Sequence, residues 1–370
     1  MIPLQLTLAP EWAPDRDAPW RTLEARPATT FVAVPPGAVL NPPASTGMGF
    51  WSINPYVGCE FGCTYCYARD THRYAVERAA ASGRLADTTY EEFGGLEGWE
   101  AFERRILVKE GAELVLDGTL ARAARRGRLA GRPIVIGTAT DPYQPAERRF
   151  GLTRRILETL ARHRGSALSI AVITKSPLVT RDLALLQQLS ERHDVSVNVS
   201  LATLDTLLLR KLEPRSPAPR ARLRALAQLS AAGIETGLFI APIIPKLTDG
   251  RRDLFRLVEA ARGAGAKYVM GSTLRLGPAA RRRFLPHLEH VFPELADRYR
   301  RHYARGAGAA AAYQDAVADR LAEAQIAAGF APRARRRHAK DTAAAASTAA
   351  TAAQAAMGAA VDADSQGTLL

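Results

Sequence analysis

The stretch "NPYVGCEFGCTYCYARDTH", residues 54–72, contains all three cysteines of a 370-residue chain: Cys59, Cys63 and Cys66. An odd number of thiols placed this close together is a poor disulfide framework and a good set of metal ligands in a reducing compartment. A glycine before each of the first two cysteines gives the backbone the freedom that lets thiolates converge. The C-x3-C-x2-C spacing therefore predicts a metal site in this loop.

The kind of metal site depends on whether the protein supplies a fourth ligand besides the three cysteines. Soft thiolates select zinc, copper(I) or an iron–sulfur cluster. A structural zinc ion normally takes four protein ligands, and the nearest candidate for a fourth is His72. A cubane held by three cysteines instead leaves one iron open to a small molecule. These residues alone leave both a zinc-stabilised nucleic-acid-binding protein and an iron–sulfur enzyme open.

Composition limits the class of protein. With 47% hydrophobic and 24% charged residues, the chain can bury a substantial core, and we expect it to be globular over most of its length. It has no run of eighteen apolar residues, and its first residues carry acids and prolines where a secretory signal would carry basic and apolar ones. We therefore expect a cytoplasmic protein with no membrane partner.

The formal net charge is +13, and most of the 50 basic residues are arginine. Such a balance favours an anionic partner, and nucleic acid is the leading candidate because arginine suits phosphates and base edges. A GC-rich genome would enrich arginine as well. Charge indicates attraction and says nothing about the reaction.

The pattern along the chain predicts an α/β fold. Residues 1–50 are rich in Pro and Gly and predict an extended N-terminal arm. Residues 51–300 alternate apolar runs with amphipathic helical stretches, which is typical of a parallel sheet covered by helices. Because no glycine-rich dinucleotide turn occurs, a full or partial βα-barrel is favoured. Residues 301–330 predict a C-terminal helix, and 331–370 a disordered Arg/Ala-rich tail.

The individual elements can be placed from the same pattern. Strands are predicted at the apolar runs 106–108, 133–140, 167–174, 195–202, 236–244 and 266–272. Helices are predicted at 152–163, 178–193, 218–233 and 252–265. The last two helices end at Gly233 and Gly265, as C-caps commonly do.

With these motifs in view, the chain resembles a known family. The cysteine spacing, the aromatic residue before the third cysteine and the following βα units resemble the radical S-adenosylmethionine superfamily. Together with the cysteine loop, four further motifs resemble its spore photoproduct lyase-like branch, often called "DNA repair photolyase". They are GTATDPYQPAE (137–147), ITKSPLV (173–179), LEPRSPAPRARL (212–223) and AGIETGLFIAPIIPKLTD (232–249).

The resemblance implies a fold and a chemistry. It implies a partial (β/α)6 TIM-like barrel whose three cysteines bind a [4Fe-4S] cluster. The open iron would be chelated by the amino and carboxylate groups of S-adenosylmethionine. Electron transfer from the reduced cluster would then give a 5′-deoxyadenosyl radical, which abstracts hydrogen from a substrate. An electron donor such as flavodoxin or ferredoxin is implied as a partner.

The resemblance also assigns cofactor contacts residue by residue. Lys175 matches the lysine that pairs with the carboxylate of S-adenosylmethionine, and Ser176 would assist it. Tyr65 matches the aromatic residue near adenine. The resemblance implies further contacts with the amino, ribose and adenine groups of the cofactor. The residues that would make them are Thr140, Asp141, Ser200, Arg215 and Pro242. Thr140 and Asp141 belong to the second motif, which also contains Thr138, Tyr143 and Glu147. We expect the polar residues of this motif to face the barrel mouth.

Several of these positions have a structural interpretation as well. Lys175 also suits a solvated strand end, and Asp141 a rigid turn between two prolines. Glu213 and Arg215 could anchor the cofactor or form a structural ion pair. Tyr67 is a candidate hydrogen-atom relay, and packing is its alternative.

The chain departs from the branch at one position. Spore photoproduct lyase proper carries a further cysteine, just before the aspartate of the second motif, which returns a hydrogen atom to the product radical. This chain has Gly137, Thr138, Ala139 and Thr140 there and no fourth cysteine. Thr138 is therefore the candidate catalytic residue in that region, although a hydroxyl is a poor hydrogen-atom donor. The substrate stays open between nucleic acid, as in a lyase, and RNA, a peptide or a small molecule.

Overall fold

The computed structural model describes residues 19–46, 49–85, 101–127, 129 and 131–331. Its strands are β1 (Arg21–Ala25), β2 (Thr30–Val34), β3 (Leu40–Asn41), β4 (Trp51–Ile53), β5 (Tyr56–Val57), β6 (Arg105–Lys109), β7 (Ile134–Ile136), β8 (Ser169–Thr174), β9 (Asp194–Ser200), β10 (Glu235–Ile243) and β11 (Tyr268–Thr273).

The helices surround these strands. They are α1 (Pro43–Thr46), α2 (Arg69–Ala81), α3 (Ala112–Arg125), α4 (Glu147–Phe150), α5 (Leu152–Arg162), α6 (Leu183–Ser190), α7 (Thr206–Leu212), α8 (Pro219–Ala231), α9 (Arg251–Gly263), α10 (Pro278–Val291), α11 (Ala296–His302) and α12 (Ala311–Ala327), with 3-10 turns at Pro177–Asp182 and Pro293–Leu295.

A seven-stranded sheet, in the order β11-β10-β9-β8-β7-β4-β3, forms the centre of the molecule. Its strands from β4 to β11 all pair in parallel, and β3 pairs antiparallel with β4. A helix follows each of the six parallel strands, including α10 after β11, which makes six βα units. Within the described residues β4 and β11 are not paired with each other, so the barrel is open. The predicted α/β fold with a partial (β/α)6 barrel is confirmed.

The first barrel strand is the element that the sequence pattern missed. Strand β4 has three residues, too few to stand out as an apolar run. The predicted strand at 106–108 exists as β6, but it belongs to a second sheet in the order β1-β2-β6-β5. Residues 21–34 of the predicted arm supply β1 and β2 of this second sheet. The arm is therefore paired with the body through β6.

The outer helices follow the predicted periodicity. Helix α9 buries Leu254, Leu257, Val258 and Ala261, which are spaced as one face of a helix requires. Gly265, just past its end, has a φ of +86°, a conformation that glycine adopts without strain. Helix α12 packs on α9 and on β11 and completes this apolar cluster.

The remaining sequence predictions concern the ends of the chain. The region 301–330 contains α12, which begins at residue 311, as the single predicted helix suggests. The predicted disordered tail lies outside the described residues except for residue 331, and so do residues 1–18 of the arm. None of the described helices is both long enough and apolar enough to cross a bilayer.

Candidate cofactor and active site

The cysteine loop lies between β5 and α2, just after the first barrel strand. Cys59 and Cys63 are 7% and 6% exposed, and Cys66 is partly buried. All three belong to one apolar cluster that also contains Phe61 and Tyr65. The loop therefore turns its three thiols into a shared, largely dry region.

The charges in this region fit a cationic group bound to the thiols. Burial raises the pKa of all three thiols, that of Cys63 to about 12, and a neighbouring thiol contributes to the rise at Cys59 and Cys63. Thiolates can persist in such a place only beside positive charge, which a metal centre supplies.

A single metal ion fits less well. Among the described residues, no three His, Cys, Asp or Glu side chains stand close enough together to hold one ion. A cubane is larger than one ion and is held by cysteines at separate irons, so it suits thiols spread around a common region. His72, the candidate fourth zinc ligand, is fully buried in α2, with Nε2 2.8 Å from the carbonyl oxygen of Arg105.

The second motif fastens the cysteine loop. The hydroxyl of Thr140 donates to the carbonyl oxygen of Gly58 at 2.6 Å, and Gln144 Nε2 donates to the same oxygen at 3.1 Å. The amide of Glu60 donates back to Gln144 Oε1 at 2.9 Å. Gly58 has a φ of +89°, and a Cβ there would stand 2.7 Å from the carbonyl oxygen of Phe102. Glycine at this position thus permits the loop to turn against its neighbours.

Asp141 joins the carboxyl ends of β7 and β8. Its carboxylate accepts hydrogen bonds from the Thr174 hydroxyl at 2.7 Å, the Lys175 amide at 2.7 Å and the Tyr143 amide at 2.9 Å. Burial raises its pKa, while these three donors lower it. The side chain therefore acts as a brace in this structure, with the chain's own donors around it.

Lys175 lies in a buried polar group that we call the glutamate cluster. Its members are Tyr65, Lys175, Glu213, Ser216 and Arg222. Lys175 Nζ is 2.7 Å from Glu213 Oε1 and 2.9 Å from the Tyr65 hydroxyl, which also donates to Glu213. The other oxygen of Glu213 accepts from Ser216 Oγ at 2.7 Å and from Arg222. Both Glu213 and Arg222 are fully buried.

The glutamate cluster carries an excess of positive charge. Burial raises the pKa of Glu213, but Arg222 and Lys175 outweigh it and hold that pKa well below its usual range. For Lys175, burial lowers the pKa, and Cys63 and Glu213 outweigh burial and raise it. Two cations therefore share one carboxylate, and one of them lies near Cys63. Such an arrangement can bind an anionic group beside the thiols.

Ser200 and Pro242 lie at adjacent strand ends on the same edge of the barrel. Ser200 is 5% exposed at the end of β9, with its hydroxyl 3.4 Å from the carbonyl oxygen of Ala241. Its own carbonyl accepts from Arg222 at 2.8 Å, which ties it to the glutamate cluster. The Ala241–Pro242 peptide bond is cis. The structure therefore brings these two predicted residues together.

Ser176 and Arg215 have different surroundings. The hydroxyl of Ser176 accepts from the Leu178 amide at 3.2 Å and caps the 3-10 turn that follows β8. Arg215 is exposed, and its guanidinium lies against Gly62 on the outside of the cysteine loop, 3.5 Å from the Glu103 carbonyl oxygen. Glu213 forms its ion pairs with Arg222 and Lys175. Arg215 contacts the cysteine loop instead.

A second group, which we call the asparagine cluster, consists of Asn54, Tyr67, Lys109 and Thr138. Asn54 accepts from the Ala139 amide at 2.8 Å and donates to the Thr138 hydroxyl at 3.1 Å. The hydroxyl of Tyr67 donates to the Thr138 carbonyl, although its side chain is about half exposed. The two candidate catalytic residues thus meet.

Two residues of the second motif lie inside the protein. Glu147 is fully buried and accepts from the Tyr56 hydroxyl at 2.6 Å and from Arg181 at 2.8 Å. Tyr143 is 1% exposed, with the Arg181 guanidinium 5.9 Å from its ring centre. Both side chains make their contacts inside the protein, and their expected place at the barrel mouth stays a prediction.

Sequence reasoning missed other members of the site. Asn54 stands in the quoted stretch, but a single asparagine after a strand gives little signal. Arg222 lies within the amphipathic pattern of α8, where charge normally indicates solvent. Arg69, three residues after Cys66, is fully buried; it contacts Glu103 at 2.5 Å and the Cys63 carbonyl at 3.3 Å. Its position beside the cysteines was the one usable signal.

Fold and loop together define a βα-barrel protein whose first strand leads into a three-cysteine loop. The profile of the Radical SAM superfamily matches residues 53–258, more than half of the chain. The chain therefore belongs to the radical SAM superfamily. An uncharacterised protein of Mycobacterium tuberculosis is 33% identical over 272 residues, 74% of this chain and 72% of the relative. One of Methanocaldococcus jannaschii is 28% identical over 251 residues, 65% and 76% of the two chains.

Solved structures give a similar fold. A spore photoproduct lyase variant aligns with a TM-score of 0.57 at 14% identity, covering 81% of this chain and 79% of that one. A structure of that lyase with bound S-adenosylmethionine and a dinucleoside spore photoproduct aligns with a TM-score of 0.52 at 15% identity, covering 75% and 74%. At these identities the likeness is one of fold.

Proposed function

We propose that this protein is a radical S-adenosylmethionine enzyme that binds a [4Fe-4S] cluster through Cys59, Cys63 and Cys66 and abstracts hydrogen from a nucleic-acid substrate. The observation that carries the proposal is the position of the three thiols, two buried and one partly buried, beside the cationic glutamate cluster. Membership of the superfamily supplies the chemistry that this arrangement serves.

The chain's own residues would bind and orient the cofactor. When bound, the cluster supplies the electron that cleaves S-adenosylmethionine into methionine and a 5′-deoxyadenosyl radical. Lys175, freed from part of its contact with Glu213, would bind the cofactor's carboxylate. Tyr65, Ser200 and Pro242 would contact its adenosine part. The other assigned residues, Thr140, Asp141, Ser176 and Arg215, would hold the loops on which these contacts depend.

The substrate would bind at the asparagine cluster. Tyr67 and Thr138 lie together there, and Tyr67 is exposed enough to contact a ligand. We assign Tyr67 as the hydrogen-atom relay. Thr138 lies in the region where related lyases carry a thiol, but its aliphatic hydroxyl is a poor hydrogen-atom donor. A net charge of +13 supports a nucleic-acid substrate, and the likeness in fold to spore photoproduct lyase supports a lyase-like reaction. A small electron-transfer protein such as flavodoxin or ferredoxin would supply the electron in the cytoplasm.

Oxygen-free reconstitution with iron and sulfide tests the proposal. We expect a brown protein that, with dithionite, converts S-adenosylmethionine to 5′-deoxyadenosine, whereas a Cys66→Ala variant should do neither. Deuterated oligonucleotides should transfer deuterium into 5′-deoxyadenosine. A colourless protein that leaves S-adenosylmethionine intact would refute the enzyme assignment. Cleavage without deuterium transfer from any nucleic acid would refute only the substrate.

A further inference from the structure

Lys109 is a cation of the asparagine cluster that has no role in the proposed reaction. It ends β6, and its Nζ donates to the carbonyl oxygen of Asn54 at 2.8 Å. The side chain is partly buried. Among the described residues, no carboxylate forms an ion pair with it.

Three other cations near the cysteine loop differ in this respect. Arg69 contacts Glu103, and both Lys175 and Arg222 contact Glu213. An ammonium group has three donors, and only one donor of Lys109 has an acceptor in the described part of the chain. Burial lowers its pKa to about 8, and no acid opposes that effect. Charge that is partly removed from water without a partner costs free energy, so a bound anion would stabilise it.

The position of Lys109 links it to the proposed substrate side. Asn54, whose carbonyl it contacts, holds Thr138 and Ala139 through its side chain. The Tyr67 hydroxyl donates to the Thr138 carbonyl oxygen. Asn54 therefore links Lys109 to Thr138, and Thr138 in turn links it to Tyr67.

We propose that Lys109 binds a phosphate group of the nucleic-acid strand that carries the reacting nucleotide. The inference rests on the proposed function, because it takes that substrate as given. A compact ammonium with rotatable donors makes a point contact with a phosphate and needs no planar partner. The residue keeps part of its surface in solvent. Lys109 would thus fix the register of the strand relative to Tyr67 and Thr138.

Binding of labelled single-stranded oligonucleotides to the full chain tests the contact without reductant or cofactor turnover. We expect Lys109→Met to weaken binding about tenfold and to reduce the salt slope by about 0.7. Lys109→Arg should retain most of the affinity. Lys267→Met removes the same charge at the start of β11, at the opposite end of the barrel, and should change binding little. DNA and RNA versions of one sequence identify the preferred strand.

A neutral methylphosphonate placed at single linkages separates a direct contact from a folding defect. One such linkage should weaken binding to the unaltered chain about tenfold and should cause no further loss in Lys109→Met. Equal affinity of Lys109→Met and the unaltered chain for both strands would overturn the proposal. So would equal losses in Lys109→Met and Lys267→Met, or additive losses at every linkage. Because no turnover is needed, failure to cleave S-adenosylmethionine would count against the proposed function alone.

Discussion

The glutamate cluster and the asparagine cluster each contain a tyrosine next to Cys66, Tyr65 in the first and Tyr67 in the second, and they differ in how completely their polar groups are paired. In the first, every charged side chain has a partner, and its central carboxylate and guanidinium are fully buried. In the second, Tyr67 is half exposed and Lys109 contacts a single carbonyl oxygen. Neutral hydrogen bonds around Asn54 hold that cluster together.

The difference indicates two kinds of ligand. A cluster whose groups are held in place by several partners binds an invariant molecule with little reorganisation, here the release of part of the contact between Lys175 and Glu213, which suits a cofactor. A cluster with exposed donors can accept part of a larger molecule that remains in solvent, which suits a polymer substrate. The four predictions below test this division, from the largest expected effect to the smallest.

Loss of a thiol should abolish the cofactor side altogether. We expect Cys63→Ala to lose most of the iron after reconstitution and to form no detectable 5′-deoxyadenosine, because an open cubane needs all three ligands. Iron content, visible absorption and product formation measure this. Tyr74→Phe, an exposed position on α2, serves as the matched control. Full iron content in Cys63→Ala would show that Cys63 does not hold a cluster and would contradict the assignment of this side to the cofactor.

Removing the central carboxylate should destabilise the fold. Glu213→Gln would leave Arg222 and Lys175 charged without a counter-ion in a buried place, which costs about 3 kcal/mol or more. Thermal or urea unfolding measures the loss. Glu323→Gln breaks a pair with Arg251 on the exposed surface and should change stability little. Similar stability of the two variants would show that the glutamate cluster is not the rigid side.

Removing the cation that is proposed to bind cofactor should act mainly on affinity. Lys175→Ala should weaken equilibrium binding of S-adenosylmethionine by about tenfold to a hundredfold, because a charge-assisted hydrogen bond is lost. Isothermal titration of the reconstituted protein measures the change, with Lys267→Ala as the control for charge. Unchanged affinity in Lys175→Ala would mean that the cofactor's carboxylate binds elsewhere.

Sequence reasoning succeeded where the signal is local and failed where it is long-range. The cysteine spacing and the strand–helix alternation are read within a few residues, and both the family and the barrel followed from them. Strand β4 was missed because three residues carry no periodicity. Arg222 was missed because its ion pair with Glu213 is buried, and the sequence does not reveal that this face of α8 is buried.

The asparagine cluster illustrates the same limit across sheets. Lys109 belongs to the second sheet and Asn54 follows the first strand of the barrel, 55 residues earlier. Neither has a spacing that would link it to the other or to Thr138. Only the pairing of β5 with β6 brings the lysine to the site.

Changing Tyr67 to Phe should have the smallest effect on stability, and it tests what the residue does. The lost hydrogen bond to Thr138 is partly exposed, so we expect a destabilisation below about 1 kcal/mol, measured by thermal unfolding. If Tyr67 relays a hydrogen atom, deuterium should still pass from substrate into 5′-deoxyadenosine while the final product no longer forms. Tyr74→Phe should leave both steps intact. Normal product formation in Tyr67→Phe would leave packing as the role of this ring and would move the relay away from the asparagine cluster.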